Sequence, residues 1–401
     1  MRVTFVQYAG DYREAWERFR QGGKATYQAQ RYSVNFVESL AKHAEQVAVI
    51  CAVSEAPSDV VLDNGVRAIT AGLRPGFDPR ELIPHLEATD PDRLVLVTPM
   101  VPPLRWAKKN SVRTLATLAD SFRRGGIRGF FRDRRLAHYL NQDNVEWIGN
   151  HGIAACLSLV RIGVSADKVI PWDWPPSYSP SEFAPRQLDS SQTLALVYVG
   201  SVTEAKGVGD LLRALKLLRE EGITPALTIV GSDPDGDLRE LAKRIGFKDQ
   251  VHFAGSIPNE DVPSVMRAAH AVIIPSRHEY PEGLPLTIYE ALSARTPIIA
   301  SDHPMFRMAL THEDSALVFP AGDAIALAAA IRRLGSDPVL YERLSKNSKP
   351  AWQALQLPVR WGDLIGKWLT DERADRQWLH QHRLGSGMYD QQIAATFNNT
   401  Q

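Results

Sequence analysis

Short apolar runs that do not alternate with polar residues recur along the chain, at residues 3–7, 47–52 and 94–98 and again from residue 194 onward. A strand that is apolar at every position has no face for water. It must be covered on both sides, as in a parallel sheet between two helical layers. Stretches with helical spacing lie between the runs. Residues 32–43, for instance, put Val34, Val37, Leu40 and Ala41 on one side of a helix. Strand and helix patterns in alternation predict a doubly wound α/β arrangement.

From residue 171 to 185, five of 15 residues are proline: Pro171, Pro175, Pro176, Pro180 and Pro185. Neither a helix nor a central strand tolerates that density. The run predicts a linker between two domains, 1–175 and 176–369. After it a second series follows, with strands expected over 194–200, 226–231, 251–255, 271–275, 297–301 and 316–319. Helices are expected over 209–221, 238–246, 260–269, 286–294 and 324–334. The fold class expected is α/β, two Rossmann-like domains facing a central cleft, with ligands at the carboxyl ends of the strands. The polar, Gln/Asn-rich stretch 370–401 reads either as a disordered tail or as a segment docked on the first domain.

Lys+Arg and Asp+Glu are 46 each, so no net charge draws the chain to nucleic acid. Cys51 and Cys156 form no C-x-x-C pair, which argues against a zinc knuckle or redox dithiol, and two thiols suit a reducing compartment. No apolar run approaches the roughly 20 residues needed to span a bilayer. Met1 leads straight into a short apolar run without a signal-peptide pattern, so a cytoplasmic location is expected.

The densest motif runs Pro275-Ser276-Arg277-His278-Glu279-Tyr280-Pro281-Glu282-Gly283-Leu284-Pro285-Leu286-Thr287-Ile288-Tyr289-Glu290-Ala291-Leu292. It follows a strand pattern and opens a helix pattern. Glu282 therefore falls in the loop at the strand's carboxyl end, and Glu290 inside the helix. The N–H groups of Gly283, Leu284, Leu286 and Thr287 converge near the helix N-terminus, which favours an anion. Two carboxylates beside a phosphate site suit the hydroxyls of a nucleotide sugar. The alternative is a solvated Glu282 and a Glu290 salt-bridged on a helix face. A second motif, Tyr198-Val199-Gly200-Ser201-Val202-Thr203-Glu204-Ala205-Lys206-Gly207-Val208-Gly209, follows the first strand of the second domain. Small residues admit a ligand close to the backbone, and Lys206 suits phosphate oxygens. A third glycine in register is lacking, so a dinucleotide fingerprint is not supported, and an ordinary turn is the alternative. Asp233-Pro234-Asp235 has the form of a metal site but reads better as a solvated turn. His278 and His303 lack ligand spacing and read as loop histidines.

Together, in this order and about 80 residues apart, the two motifs resemble the second half of the family-4 retaining glycosyltransferases of GT-B fold. Glu282-x7-Glu290, with its Glu-Gly-Leu-Pro-Leu and Glu-Ala-Leu, matches that family's signature. Thr296-Pro297-Ile298-Ile299-Ala300-Ser301-Asp302 and Val318-Phe319-Pro320-Ala321-Gly322-Asp323 match as well. The resemblance covers roughly residues 194–369 and is loose over 1–170. It implies that Lys206 binds the donor pyrophosphate beside Gly200 and Ser201. It further implies that Glu282 holds the transferred sugar near its anomeric carbon, and that Glu290 binds the ribose hydroxyls. The nucleobase would meet the backbone near Ile257, with Gly231 lining that pocket. Gly22-Gly23 resembles the family's glycine loop facing the donor phosphates, although it lies far from the first strand. Asp120 is a candidate for acceptor or sugar contact and completes the catalytic set with Glu282 and Lys206.

Four departures stand out. Ser201 replaces a frequent arginine, Ala119 a frequent histidine, and Pro171-Trp172-Asp173-Trp174 the usual Asn-Gly-Val-Asp. Arg295 replaces a glycine and would add a cation near the cleft. The function implied is retaining sugar transfer from a UDP-, GDP- or ADP-linked donor to a glycan, lipid-linked or small-molecule acceptor. No resident cofactor or metal is implied. Ala119 and Ser201 keep open a non-catalytic nucleotide-sugar or partner-binding module, and a GT-B epimerase is the other alternative. A phosphorylase would need a pyridoxal lysine, for which there is no signature. Finally, residues 105–135 carry ten Lys/Arg against Asp120 and Asp133, interleaved with Trp106, Phe122, Phe130 and Phe131. That composition suits an anionic membrane surface, with a peripheral place at the inner membrane, or a phosphorylated acceptor, or else a solvated basic face whose aromatics fill the core; RNA is disfavoured because no RNA-binding motif is visible.

Overall fold

The structure, a computed structural model, describes residues 1–122, 126–189, 191–233, 235–247 and 249–398, with side chains as far as residue 394. Its contacts divide into two compact units. The first comprises Met1–Ala25, Ala29–Pro175 and Leu357–Asn398, and the second Pro176–Gln356 with Thr26–Gln28.

The first unit is built on an eight-stranded sheet: β1 (Arg2–Ala9), β2 (Gln46–Val53), β3 (Pro57–Val61), β4 (Val66–Leu73), β5 (Arg93–Leu96), β6 (Arg113–Leu118), β7 (Val145–His151) and β8 (Val169–Trp172). Their order is β3-β4-β2-β1-β5-β6-β7-β8. Every neighbouring pair is parallel except β3 with β4. The central strands are buried nearly throughout, as expected of strands covered on both faces. The proline-rich run begins inside this sheet rather than as a linker, because Pro171 and Trp172 close β8. β8 is an edge strand, where a proline forfeits no ladder hydrogen bond.

Residues 357–398 were expected to fall partly in the second domain, up to 369. They pack instead on the first unit. The helix Trp361–Thr370 buries Trp361, Leu364, Ile365 and Trp368 in that unit's core. Trp361 meets Phe36 edge-on at 5.4 Å between ring centroids. Trp368 Nε1 donates to Glu146 at 2.6 Å, and Arg113 joins Glu146 to Asp371 at 2.5 and 2.8 Å. Farther on, Gly385 N donates to Ala166 O at 3.1 Å. Over the described residues, 370–398 is therefore helical and docked, not a loose tail.

The second unit has six parallel strands: β9 (Ala195–Val199), β10 (Ala226–Val230), β11 (Val251–Gly255), β12 (Ala271–Ile274), β13 (Ile298–Ser301) and β14 (Leu317–Phe319). Their order is β11-β10-β9-β12-β13-β14. The helix Val208–Glu220 lies against Ala324–Ser336 over a core that includes Leu211, Leu215, Leu327 and Ile331. β9 and β12 are neighbours at the middle of the sheet, so the loops leaving their carboxyl ends lie side by side.

Candidate active site

Those two loops carry both motifs. At the end of the β9 loop, Gly207 approaches the β12 loop so closely that an added Cβ would lie 2.0 Å from Pro275 O. Arg277 N donates to Ala205 O at 2.9 Å, and the Arg277 guanidinium grips Asp210 at 2.7 and 2.8 Å. Asp210 also takes Arg213 at 2.7 Å. Clamped in this way, the loops bring together two residues 76 positions apart: Lys206 Nζ donates to Glu282 Oε1 at 2.6 Å. Ser276 Oγ donates to the same oxygen at 2.7 Å, and the ammonium lies 4.2 Å from the centroid of the Tyr280 ring. Glu282 is buried, so the solvated-loop alternative does not hold for it.

Past Gly283 and Leu284, both half-buried, the helix Leu286–Ser293 begins at Pro285 with no side chain capping its N-terminus. Proline presets the entry, and the first N–H groups, those of Leu286 and Thr287 among them, give that end a partial positive charge. Glu290 sits in the interior of this helix. It is buried rather than salt-bridged on the surface, and among the described residues the one hydrogen bond to its carboxyl group comes from Asn259 Nδ2 to Oε1 at 2.7 Å. Burial pushes its carboxyl up to about 7, with the Asn259 bond pulling the other way.

The β9 and β10 ends also meet. A Cβ on Gly231 would lie 1.8 Å from Gly200 O, and Gly200 N donates to Val230 O at 2.9 Å. Ser201 is exposed, and its carbonyl accepts from Tyr198 Oη at 2.6 Å. Ile257 is half-buried between β11 and the short turn Asn259–Asp261. The second unit thus gathers Gly200, Ser201, Lys206, Gly231, Glu282, Gly283, Leu284, Leu286 and Thr287 at the carboxyl ends of β9, β10 and β12, with Ile257 beyond β11 and Glu290 in the helix after β12. Ligands of such sheets sit along that edge.

Asp120 and Gly23 belong to the first unit. Asp120 follows β6 and is half-buried, burial raises its carboxyl, and Asn150 Nδ2 donates to its carbonyl at 3.0 Å. Gly22 and Gly23 do not follow the first strand directly. The helix Tyr12–Arg20 intervenes, and the pair terminates it: Gly22 N donates to Phe19 O at 3.1 Å and Gly23 N to Arg18 O at 2.8 Å. This is a Schellman closure.

Two expectations change. Arg295 supplies no accessible cation, because it is buried, its Nε donates to Pro180 O at 2.7 Å, and its carbonyl accepts from Ser345 Oγ. His278 and His303 lie in loops as read from the sequence, His303 fully buried 3.1 Å from Tyr280 O and His278 2.7 Å from Asp302. In the Asp-x-Asp stretch Pro234 lies outside the described residues. Asp235 is exposed, but the Asp233 side chain is 8% exposed, 3.8 Å from Arg239, so it is not a solvated turn residue. Among the described residues no group of three His, Cys, Asp or Glu is disposed to hold a metal. Sequence reasoning missed Asn259 and the anchoring roles of Ser276 and Tyr280. The last two lie within the quoted motif, whereas Asn259 has no local signal.

Residues 181–350 match the family described as glycosyl transferases group 1. That segment is a glycosyl transferases group 1 domain. It spans both motifs, and the comparisons agree with the family-4, GT-B resemblance that the motifs carry. The lipopolysaccharide core biosynthesis glycosyltransferase LpsD of Rhizobium meliloti is 36% identical over 156 residues, 39% of this chain and 43% of that protein. The alpha-D-kanosaminyltransferase of Streptomyces kanamyceticus is 30% identical over 156 residues, 39% of this chain and 40% of that protein. The aligned stretch therefore spans well under half the length of either relative. Among solved structures, sucrose-phosphate synthase of Thermosynechococcus elongatus superposes with a TM-score of 0.65 at 19% identity, covering 92% of this chain and 98% of that one. HepE of Anabaena, solved with UDP-glucose, gives 0.65 at 15% identity, covering 92% and 99%. The glycosyl transferases group 1 domain thus lies in a chain whose two Rossmann-like units have the GT-B fold.

Proposed function

We propose that this chain transfers a sugar from a nucleoside-diphosphate sugar to an acceptor hydroxyl, with retention at the anomeric carbon and without a metal. The observation that carries the reading is the meeting of Lys206 and Glu282 at 2.6 Å, beside the uncapped helix whose interior buries Glu290. In this reading the bond between the anomeric carbon and the diphosphate oxygen breaks, and its electron pair goes to the diphosphate. Lys206 and the helix N–H groups stabilise the charge that develops there. Glu282 orients the sugar, and the acceptor oxygen bonds to the carbon its predecessor left, on the same face, while its proton passes to the departing diphosphate oxygen. Asp120 serves the acceptor. Glu290 accepts hydrogen bonds from the ribose, a sugar that UDP, GDP and ADP donors share. UDP is the first base to test, since HepE was solved with UDP-glucose.

Thermal stabilisation by UDP, GDP, ADP and their sugars tests the donor site. One of them at about 100 times its dissociation constant should add roughly 2.7 kcal/mol, and Glu290→Ala should abolish the gain. No gain with any nucleotide would refute the donor site. Turnover only with an acceptor supports transfer. Turnover without one points to an epimerase, and binding without turnover to a binding module.

The acceptor side has its own observation. On the helix Gly126–Leu140, Ile127 is 79% and Phe131 65% exposed, one turn apart, amid exposed Arg128, Arg132, Arg134 and Arg135. The opposite face buries Leu136, Ala137 and Leu140 in the first unit. Arg123 and Arg124 of the same basic stretch lie outside the described residues. Exposed apolar side chains ringed by arginine suit an anionic lipid surface, and would place the enzyme at the cytoplasmic face of the inner membrane near a lipid-linked acceptor. No described helix is long and apolar enough to cross a membrane. The protein should sediment with phosphatidylglycerol vesicles and not with phosphatidylcholine vesicles. Replacing Ile127 and Phe131 by serine should weaken binding about tenfold or more. Equal binding to both vesicle types, or no effect of the double replacement, would count against this surface.

A further inference from the structure

We propose that Asn259 is a positioning residue that fixes how Glu290 meets the ribose of the donor; the proposal rests on the donor-site reading above. Glu290 Oε1 accepts from Asn259 Nδ2 at 2.7 Å. Among the described residues no other hydrogen bond reaches the carboxyl group. One oxygen is therefore anchored, and Oε2 keeps its lone pairs for a ligand. The chemistry of the anchor matters. A lysine would neutralise the carboxylate and an acid would repel it. A neutral amide donor orients the group and leaves its charge for ligand hydroxyls.

Asn259 is itself held in place. It opens the turn Asn259–Asp261 behind Pro258, where Asp261 N donates back to Pro258 O at 3.0 Å. Tyr178 Oη donates to the carbonyl of the next residue, Glu260, at 3.3 Å. Ser293 Oγ, on the Glu290 helix, donates to Tyr178 O at 3.2 Å. Asn259, Glu290, Ser293, Tyr178 and Glu260 thus close a ring that ties the turn to the helix. Glu282 is also held through Oε1, but by Ser276 and the charged Lys206, so of the two carboxylates Glu290 is the one with a neutral anchor. Among the described residues, Tyr178 is the titratable group that feels the charge of Glu290; its phenol is raised chiefly by burial and then by Glu260, Glu290, Asp261 and Glu182.

The hydrogen bond has a consequence for pH. Two ribose hydroxyls donate best to an ionised carboxylate. Burial opposes ionisation and the Asn259 bond favours it. Affinity should therefore rise with pH through about 7, where the carboxyl ionises. Without Asn259 that rise should shift to higher pH.

The test is calorimetric titration with UDP across roughly pH 6 to 9 for the full chain, Asn259→Ala, Asn259→Gln and Glu290→Gln. Asn259→Ala should bind about tenfold more weakly near neutral pH, with its profile displaced upward by about one unit. Asn259→Gln, which retains the amide, should recover part of both effects, and Glu290→Gln should leave only the pH dependence of UDP's own terminal phosphate. Carbon-13 NMR of labelled glutamate carboxyls follows the Glu290 midpoint without any nucleotide, and it too should move upward in Asn259→Ala. An unmoved midpoint, or a loss of affinity equal at every pH, overturns the positioning role. Binding that needs Glu290 but not Asn259 overturns it while leaving the donor site standing. Wild-type binding that Glu290→Gln leaves unchanged overturns both.

Discussion

Replacing Lys206 with alanine should slow sugar transfer about a hundredfold to a thousandfold, the usual effect of removing one preorganised donor from developing negative charge. The ammonium is already placed, 2.6 Å from Glu282 and 4.2 Å from the Tyr280 ring. It needs only a small movement to trade one oxygen anion for another. The same replacement should lower stability, because the Glu282 side chain is 7% exposed and, among the described residues, would keep only Ser276 as a side-chain hydrogen-bond partner. An ionised group left short of partners in such a place costs about 1–3 kcal/mol. The two effects can be separated. In Lys206→Ala/Glu282→Gln the uncompensated charge is gone, so the melting temperature should recover while turnover stays low. Lys206→Arg keeps the charge, but its planar fork fits the compact pocket poorly and should restore only part of the rate. The measurements are release of the nucleoside diphosphate and thermal unfolding for the four proteins. Full activity in Lys206→Ala would remove the lysine from the mechanism. Recovery of turnover along with stability in the double variant would make its role structural.

Why Lys206 and Glu282 were legible in the sequence, while Asn259 was not, follows from where their signals lie. Lys206 and Glu282 each sit in a contiguous motif between a strand pattern and a helix pattern, and parallel topology brings both loops to one edge. Asn259 precedes two acids in an ordinary polar turn, and its value arises only from contact with a residue 31 positions on. The sheets themselves were readable because strands covered on both faces must be apolar throughout. β3 was not, since an edge strand of pattern Pro-Ser-Asp-Val-Val is half solvent-facing and carries no continuous run. The helix Tyr12–Arg20 was hidden by its charge: five of its nine residues are Arg or Glu, and they mask the one apolar face of Tyr12, Ala15, Trp16 and Phe19 that packs on the core. At the other end, Trp361, Leu364, Ile365 and Trp368 have helical spacing, but spacing does not tell which unit they cover. Arg295 misled for a related reason. An arginine near a binding motif suggests a ligand contact, whereas its burial against Pro180 O is a tertiary fact.

The clamp between the two site loops should be the most fragile point of the second unit, and Gly207→Ala probes it. Gly207 has φ of +75° and starts the helix Val208–Glu220. A Cβ there would meet Pro275 O at 2.0 Å, Pro275 C at 2.7 Å and Pro275 Cβ at 2.9 Å. A left-handed alanine costs about 1–2 kcal/mol, and forcing apart two packed backbones adds about 1–3 kcal/mol. Pro275 cannot swing aside as a flexible side chain would, because β12 leads directly into it. For a unit of this size the transition should fall by about 5–15 °C. Activity should fall further than stability alone explains, since the displaced loops are those that join Lys206 to Glu282. Gly222→Ala supplies the control. Gly222 lies at the other end of the same helix with φ of +81°, yet a Cβ there would meet nothing within 4 Å. It should cost only the backbone term, a few degrees, and leave turnover unchanged. If the two substitutions lowered the melting temperature equally, the close approach at Pro275 would contribute nothing. If Gly207→Ala melted early but turned over normally below its transition, the loops would not need this clamp for catalysis.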